Sequence, residues 1–425
     1  MTRLLRFALS LAAGIVAVAA SAAPIDIKIW RHETDDSEMK VSAASVERFN
    51  RMQSQYRIVT ETLPQGSYQQ AVIAAAMTNK LPCVLDLDQP TVPNFAWAGH
   101  IQPLEGPLRP AGVAALIQGG RSTYKGKLFA VGQFDVALAL FARKSVLEKH
   151  GVRLATLDLP YTANEFRDIL RRLKQEGYTY PLDLNMQLTG EWLSYAFSPW
   201  LQSAGTDLID RKTFTVVDGV LNSDAAVAVV DYFRSLFDER LATRKPADDQ
   251  SFPSGRSAFH YSGSWSARRY RQKFGDDLVA LPPPAFGAQP RIGAGSWQWA
   301  VASSCPHPEG ARLFLEHLIG AQEIADFADA TGLMPTSEAA ADASRLYRKG
   351  AFGRNFFEFA RALAVVRPET PGYPMISSAF ERAMKEAREG VDSAEALDRA
   401  VEAIQQDLKR NRNYGVPPAN QHELI

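Results

Sequence analysis

The segment from Ile25 to Asp88 decides the fold, because it contains three strand-like stretches separated by two helical ones. The strand-like stretches read IDIKIW (residues 25–30), RIVTET (57–62) and CVLDLD (83–88). In the first stretch apolar residues alternate with polar ones, which is the pattern of a β-strand. Helical periodicity places four apolar residues of the next segment on one face: Met39, Ala43, Val46 and Phe49. A second helix, SYQQAVIAAAMTNK (67–80), is expected to stop before Pro82.

This alternation of strands and helices predicts a parallel sheet with helices on both faces, and hence an α/β fold. In such sheets, ligands bind beyond the carboxyl ends of the strands. The rule places the residues after Trp30 and the run Asp86–Gln89 at the mouth of a binding site.

The first 22 residues have the features of a secretory signal peptide. A basic start, MTRLLR, is followed by an apolar run over residues 7–20, and small residues stand at Ala20 and Ala22. The apolar run is shorter than the roughly 20 residues that span a bilayer, so a membrane anchor is the weaker alternative. We therefore expect a mature chain that is exported to the periplasm.

Composition bounds the size of the protein and the kinds of partner it takes. A chain of 425 residues exceeds one compact core, which predicts two domains. Lys and Arg together number 47, as do Asp and Glu, so no excess charge favours nucleic acid or an anionic membrane. The two cysteines, Cys83 and Cys305, are free to pair in an oxidising compartment.

Enzyme motifs and metal-binding motifs have weak support in this sequence. Ser37 and Lys40 fit the S-x-x-K pattern of serine penicillin-binding enzymes, but the S-D-N and K-T-G elements are missing. The seven histidines are scattered, without an H-E-x-x-H pattern. We predict no catalytic residue, no metal and no cofactor. A secreted carbohydrate-active enzyme remains the alternative, because acidic catalytic pairs can lie far apart in sequence.

A further strand-like stretch, GSWQWAVA (295–302), carries two tryptophans two residues apart. Strand side chains alternate between faces, so Trp297 and Trp299 are expected to point the same way. Two indoles on one face can fill a core or form a flat apolar platform for a ligand.

Nine stretches, taken in order across nearly the whole mature chain, resemble the extracellular solute-binding proteins of ABC importers. Within that family, the resemblance is to the sugar-binding group that includes the maltose-binding protein. The stretches are IKIWRH, ERFN, LPCVLDLDQP, FAWAGHIQPL, GKLFAVGQFD, EWLSYAFSPWLQSAGTDLID, FPSGRSAFHYSGSW, GSWQWAVASSCPHPEGARLFLEHL and ETPGYPMISSAF.

The resemblance implies a two-lobed periplasmic-binding-protein fold of type II, with the ligand in a cleft between lobes joined by crossing hinge segments. Residues 23–135 and 300–350 are expected to form lobe 1, after the signal peptide at 1–22. Residues 136–299 and 351–425 are expected to form lobe 2. The crossings are expected near 133–138, near 293–299 and beyond Arg345.

The resemblance also implies which residues contact a sugar. Trp265 matches the cleft tryptophan of the family, and Trp297 is expected to face the ligand, whereas Trp299 is expected to lie in the core. An indole covers the C–H face of a pyranose, and polar side chains bind the hydroxyls at its rim. The remaining residues expected at the ligand are Asp88, Gln133, Asp135, Glu191, Tyr373, His32 and Asp35.

One departure from the family pattern bears on ligand length. Maltose-type relatives carry an aromatic residue a few positions beyond the stretch that reads ISSAF here, and in this chain Glu381 and Arg382 follow directly. This difference favours a short sugar over a long maltodextrin.

We predict a monomeric periplasmic receptor that delivers a carbohydrate to an inner-membrane ABC permease. The alternative within the family is a receptor for a polyol-like ligand such as a glycerol phosphodiester. That ligand requires cations in the cleft, and the candidates are Arg256, Arg268, Arg269 and Arg291.

Family topology also favours a disulfide between the two cysteines. Cys83 opens the third strand, and Cys305 follows the GSWQWAVA strand, which is expected to run antiparallel in the same sheet. Neighbouring strands bring Cα atoms within the roughly 7 Å that a disulfide needs. Two unrelated buried thiols are the alternative.

Overall fold

A computed structural model describes residues 23–104, 108–188 and 190–415. The predicted signal peptide lies outside these residues. The strands are β1 Ile25–His32, β2 Tyr56–Leu63, β3 Val84–Asp88, β4 Arg121–Tyr124, β5 Lys127–Val131, β6 Phe134–Asp135, β7 Leu138–Arg143, β8 Leu182–Asp183, β9 Phe259–Gly263, β10 Leu278–Leu281, β11 Ile292–Ala294, β12 Trp297–Val301, β13 Met334–Pro335 and β14 Ala364–Val366.

The helices alternate with these strands and cover the sheets. They are α1 Asp36–Met52, α2 Gln65–Met77, α3 Val92–Trp97, α4 Pro110–Ala114, α5 Lys144–Lys149, α6 Ala163–Gln175, α7 Trp192–Ser203, α8 Asp224–Asp238, α9 Ala267–Phe274, α10 Pro308–Leu318, α11 Ala321–Thr331, α12 Glu338–Ala343, α13 Arg354–Leu363, α14 Tyr373–Arg388 and α15 Ser393–Arg410. In the parts of the chain that the structure describes, none of the helices has both the length and the apolar character that crossing a membrane requires.

The first lobe is built on a six-stranded sheet in the order β2-β1-β3-β12-β5-β4. Strand β1 pairs in parallel with β2 and β3, which confirms the predicted unit of three strands and two helices. The apolar face predicted for α1 is partly wrong, because Ala43 is exposed whereas Glu38 and Ser45 are buried. The Ser45 hydroxyl donates to Glu323 Oε2 of α11 (2.8 Å), and this polar contact takes the place of an apolar one.

The second lobe is built on a four-stranded sheet in the order β10-β7-β9-β8. Every residue of β9 and all of β7 except Arg143 is buried, as expected for strands that are covered on both faces. Helices α7, α8, α14 and α15 pack on the sheet and share one large apolar core with it.

Two small sheets lie where the chain passes between the lobes. Strand β6 pairs with β13, and β11 pairs with β14. Strand β12 pairs with β3 along its whole length, from Trp297 to Val301, so all of it belongs to the first sheet. The pairing of β12 with the first sheet thus starts two residues after Gly295.

Cys83 and Cys305 are joined by a disulfide, with their Cα atoms 4.4 Å apart. Cys83 directly precedes β3, and Cys305 follows the end of β12, so the bridge ties the ends of two neighbouring antiparallel strands. The Ala302 N–H also donates to the Cys83 carbonyl (3.0 Å). This arrangement agrees with the topology that the resemblance implied.

Candidate functional site

A cavity of about 500 Å³ lies between the lobes at the carboxyl ends of β1 and β3. The first lobe contributes the ends of these strands and the start of β12. The second lobe contributes the start of α7 and the turn around Trp265. The crossing segments form its floor through Phe134, Gly295 and Arg367. The position agrees with the rule for ligand sites in parallel sheets.

Trp265 enters this cavity from the second lobe. Its side chain is among the exposed large apolar groups, at 40% relative exposure. It packs edge-on against Trp192, with the ring centroids 6.2 Å apart and an interplanar angle of 78°. Trp192 is itself buried and donates its indole N–H to the Leu184 carbonyl (3.1 Å). Trp265 therefore rests on a fixed aromatic support and presents an open apolar surface to the cavity.

Trp297 faces the cavity from the first lobe and is held in a different way. The His32 ring stacks on it, with the centroids 3.7 Å apart and the planes at 23°. His32 Nδ1 donates to Asp86 Oδ2 (2.6 Å), and Tyr68 packs edge-on against the indole. The imidazole is buried. His32 therefore acts as a support for Trp297.

The expectation that Trp297 and Trp299 point the same way is wrong, because the two indoles pack in different clusters. Trp297 packs with the cluster around Tyr68 and Leu87, whereas Trp299 packs with the cluster around Val84 and Val301. Val84 and Leu85 are adjacent in β3, so these clusters lie on opposite faces of the sheet. Trp297 is the first residue of β12, and β5 pairs only further along, at Trp299 and Ala300. At that free end the indole can lie against His32.

Arg367 connects the two lobes at the floor of the cavity. Its Nη2 donates to Asp88 Oδ1 (3.1 Å) and to the Gly295 carbonyl (2.9 Å), and its Nη1 lies 3.3 Å from Glu191 Oε1. The guanidinium also lies over the Tyr195 ring, 5.4 Å from its centroid. Burial disfavours the charged guanidinium, but Asp88 and Glu191 outweigh this and hold the pKa of Arg367 above its ordinary value.

Glu191 receives hydroxyl donors as well as this guanidinium. Ser377 Oγ donates to Glu191 Oε2 (2.6 Å), and the Tyr373 hydroxyl donates to Oε1. Burial raises the pKa of Glu191, against the opposing effect of Arg367 and the hydroxyl donors. Tyr373, predicted as an aromatic ligand contact, is 2% exposed and lines a smaller cavity next to this one, and its hydroxyl orients Glu191.

A second cavity of about 310 Å³ adjoins the first, between α2 and α14. Asp88, Glu191 and Trp297 line both cavities, so the two are separated only by these side chains. Glu381, which stands where maltose-type relatives place an aromatic residue, lines the second cavity. Its other lining residues with polar side-chain groups, besides the three shared ones, are Tyr68, Gln69, Thr91, Tyr373, Ser377 and Ser378.

Asp35 lies at the rim of the larger cavity and begins α1. Its carboxylate accepts the Ser37 N–H (2.8 Å) and the Glu38 N–H (3.1 Å). A hydrogen bond from the Ser37 hydroxyl is the largest effect that lowers the pKa of Asp35. Asp35 is therefore a charged acceptor that is fixed in place by the first turn of a helix.

Gln133 and Asp135, both predicted at the ligand, line neither cavity. Gln133 is buried and donates to the Leu318 carbonyl (3.1 Å). Asp135 is fully buried at the first crossing, and its Oδ1 accepts the Gly295 N–H of the second crossing (3.0 Å). Gly295 has a φ of +89°, which favours glycine there. Asp135 thus ties the first crossing to the second, and Gln133 ties the first crossing to α10.

Arg367 is the functional residue that sequence reasoning missed. None of the candidates Arg256, Arg268, Arg269 and Arg291 lines either cavity. The signal was available, because Arg367 directly follows the short apolar strand β14, much as Asp88 ends β3. The rule that placed Asp88 at the mouth applies equally to the end of β14.

Comparison with known proteins places this architecture in a family. Residues 44–352 match the family described as bacterial extracellular solute-binding proteins. A probable ABC transporter-binding protein of Deinococcus radiodurans is 25% identical over 291 residues, which cover 64% of this chain and 66% of that protein. The chain thus spans about two thirds of the length of that curated relative.

Solved structures share the two-lobed fold over nine tenths of the chain. A cyclic α-maltosyl-1,6-maltose binding protein from Arthrobacter globiformis is 22% identical, with a TM-score of 0.77, and covers 91% of this chain and 100% of its own. The GacH receptor of Streptomyces glaucescens, solved unliganded and with acarbose, is 23% identical, with a TM-score of 0.76 and coverage of 91% and 99%. From the match over nearly three quarters of its length, this chain belongs to the family of bacterial extracellular solute-binding proteins.

Proposed function

We propose that this protein is the receptor of an ABC importer and captures a short carbohydrate in the cleft between its lobes. The observation that carries the proposal is the pair of indoles, Trp265 and Trp297, which reach the same cavity from opposite lobes. Polar groups of Asp35, Asp88 and Glu191 lie around them. Aromatic planes with hydrogen-bonding groups at their edges fit the C–H faces and hydroxyl rim of a pyranose.

Capture proceeds by closure of the lobes over the ligand. In this proposal lobe 1 comprises residues 23–135 and 296–350, and lobe 2 comprises residues 136–295 and 351–415. A ligand that contacted one lobe alone would bind the open and closed forms equally, so it would not shift the equilibrium between them. A sugar between Trp265 and Trp297 contacts both lobes, so it stabilises the closed form, which the permease then recognises.

Family membership and the name of the Deinococcus relative support an extracellular or periplasmic setting and an ABC transporter as partner. We infer that the protein is a monomer in the periplasm and delivers its ligand to an inner-membrane permease. Export removes residues 1–22, so the mature chain begins at Ala23 or Pro24. Intact-mass measurement of the exported protein checks this. A periplasmic protein that retains residues 1–22 would contradict it.

Binding without turnover distinguishes this proposal from a carbohydrate-active enzyme. The relatives described above are named for binding and not for catalysis. Incubation of the bound sugar with the protein, followed by chromatography, is expected to return the sugar unchanged. Hydrolysis products that form in proportion to protein concentration would favour the enzyme.

The proposal is tested by a thermal-shift screen with mono-, di- and trisaccharides. At a ligand concentration one hundred times Kd, binding stabilises the native state by about 2.7 kcal/mol. A sugar that raises the unfolding temperature is then confirmed by calorimetry. Failure of every sugar in the screen to shift the transition would overturn the proposed function.

A further inference from the structure

We infer that the cleft accepts sugars without negative charge and rejects anionic ones, including uronic acids, sugar phosphates and glycerol phosphodiesters. This inference rests on the proposed function and specifies the class of ligand. It is carried by three features of the two cavities: the charges that line them, the use already made of Arg367, and the hydrogen-bonding capacity of their carboxylates.

Acidic side chains outnumber cationic ones in both cavities. Among the described lining residues, the only arginine is Arg367, and lysine is absent. His32 also lines the larger cavity, but its Nδ1 is engaged with Asp86. The carboxylates that line the cavities are Asp35, Glu38, Asp88, Glu191 and Glu381.

Two of these carboxylates have cations of their own that do not line the cavities. Glu38 pairs with the buried Arg31 (2.8 Å), and Glu381 pairs with Lys385 (2.5 Å). The other three carboxylates, Asp35, Asp88 and Glu191, are left with Arg367 as the single cation lining the site. An anionic ligand placed among them meets net repulsion in a partly desolvated space, where charges interact more strongly than in water.

Arg367 cannot offer the two-pronged contact by which arginine recognises carboxylates and phosphates. One terminal nitrogen donates to Asp88 and to the Gly295 carbonyl, and the other lies between Asp88 and Glu191. The Nε–H is buried and has no hydrogen-bond partner among the described residues. A buried Nε–H cannot reach a ligand in the cleft, so Arg367 has no accessible pair of donors for an anion.

The lining carboxylates also favour a ligand that can donate hydrogen bonds. An ionised carboxylate only accepts, and each sugar hydroxyl both donates and accepts. Replacing a hydroxymethyl group by a carboxylate removes a donor and adds a charge at the same position. Both changes act against binding, and rejection of the wrong ligand by like charge is an effective source of specificity.

The test uses matched neutral and acidic sugars: glucose with glucuronate, galactose with galacturonate and mannose with mannuronate. Glycerophosphoglycerol, which carries one negative charge, is the phosphodiester. Affinities are measured by calorimetry at fixed ionic strength. We expect at least one neutral sugar to bind, and its acidic counterpart to bind at least 100-fold more weakly. An acidic sugar that binds as tightly as its neutral counterpart overturns the inference and leaves the proposed function standing.

Two further outcomes bear on the proposed function itself. If glycerophosphoglycerol binds and no sugar does, both the proposed function and the inference fail. If nothing in the matched set binds, and the larger saccharides of the thermal-shift screen also fail, the proposed function falls, and the inference falls with it.

Variants test whether the named carboxylates cause the rejection. Glu191→Gln and Asp88→Asn keep the side-chain shape, remove one charge and release part of Arg367. Each is expected to reduce the neutral-to-acidic affinity ratio by at least tenfold. Glu402→Gln, on the exposed face of α15, is the control with the same change in net charge and should leave the ratio unchanged. An unaltered ratio in both cleft variants would contradict the inference.

Discussion

The two tryptophans of the cleft are held in opposite ways. Trp297, in the first lobe, is fixed by the stacked ring of His32, which Asp86 holds in turn. Trp265, in the second lobe, remains 40% exposed and rests edge-on against Trp192 and at a tilt against Tyr195. The first lobe therefore presents an ordered half-site before any ligand arrives, and the second lobe adds a face that is covered only on binding.

This difference separates stability from affinity. A side chain that is already packed contributes to the folded state as well as to binding, whereas an exposed one contributes mainly when a ligand covers it. The comparison leads to four predictions, in order of expected effect.

The largest effect is expected from the disulfide, which lies wholly in the ordered lobe. Replacing both Cys83 and Cys305 by serine should lower the free energy of unfolding by up to about 5 kcal/mol, because the bridge closes a very long loop. The two cysteines are 222 positions apart. Urea unfolding measures the loss. Thiol titration of the unfolded, unreduced wild type is the direct check, and two reactive thiols per chain would disprove the bridge.

The second prediction separates the two indoles. Trp265→Ala and Trp297→Ala should each weaken sugar binding by about 1.5–3 kcal/mol, the scale of a lost aromatic contact. Only Trp297→Ala should also lower the free energy of unfolding, because it removes the packing on His32 and Tyr68. Calorimetry and urea unfolding give the two quantities.

Trp299→Ala is the matched control for this pair. Trp299 packs against the core on the other side of the sheet, so its loss should reduce stability and leave affinity unchanged. Normal binding by both cleft variants would show that the stacking residues have been misassigned. Equal losses of stability in Trp265→Ala and Trp297→Ala would contradict the claim that only the tryptophan of the first lobe contributes to folding stability.

The third prediction concerns the hinge between the two half-sites. Burial raises the pKa of Asp135 to about 7, although the Val136 and Gly295 N–H groups and the charge of Arg367 oppose this. Tyr195 also faces it. Between about pH 4 and 7 the native state therefore binds a proton that the unfolded state has released, so stability falls as pH rises through this range.

The contribution of Asp135 to this slope is at most about 1.4 kcal/mol per pH unit. Asp135→Asn keeps the shape and removes the titration. Chemical unfolding at several pH values should show a smaller decline in the free energy of unfolding with rising pH for the variant than for the wild type. The other titrating groups are the same in both proteins, so their effects cancel in the difference. Identical slopes for the two proteins would show that Asp135 stays charged throughout.

The smallest effect is expected in molecular shape. A ligand that contacts both lobes should bring them together, which decreases the radius of gyration slightly. Small-angle scattering with and without saturating sugar measures the change. An unchanged radius of gyration would indicate a rigid pocket. Lobe closure would then not cover Trp265 when the ligand binds.

Much of the fold could be predicted from local pattern. Alternating apolar residues located β1, and the helical spacing between the strands predicted the parallel sheet around β3. The rule for strand ends correctly placed Asp88 beside a cavity. Each of these features depends on neighbours in sequence, which is why sequence alone suffices for them.

The site could be predicted less well, because its side chains are arranged by contacts across the lobes. Gln133 and Asp135 lie at a crossing, as expected, but their partners are Leu318 and Gly295, which no local pattern links to them. Tyr373 is turned inward by Glu191. The role of Arg367 in the cleft was not predicted, because its partners Asp88 and Glu191 come from two different lobes and are far from it in sequence.

The position of β12 in the first sheet also determines when the protein can fold. This strand lies between β3 and β5, yet more than 160 residues separate it from β5 along the chain. The second core likewise needs α14 and α15, which come last. The first sheet is therefore complete only after Val301 has been synthesised, and the second core only after Arg410. Cys83 cannot form its disulfide before Cys305 has been synthesised. Such late completion is compatible with the export that we propose, in which the chain crosses a membrane before it folds.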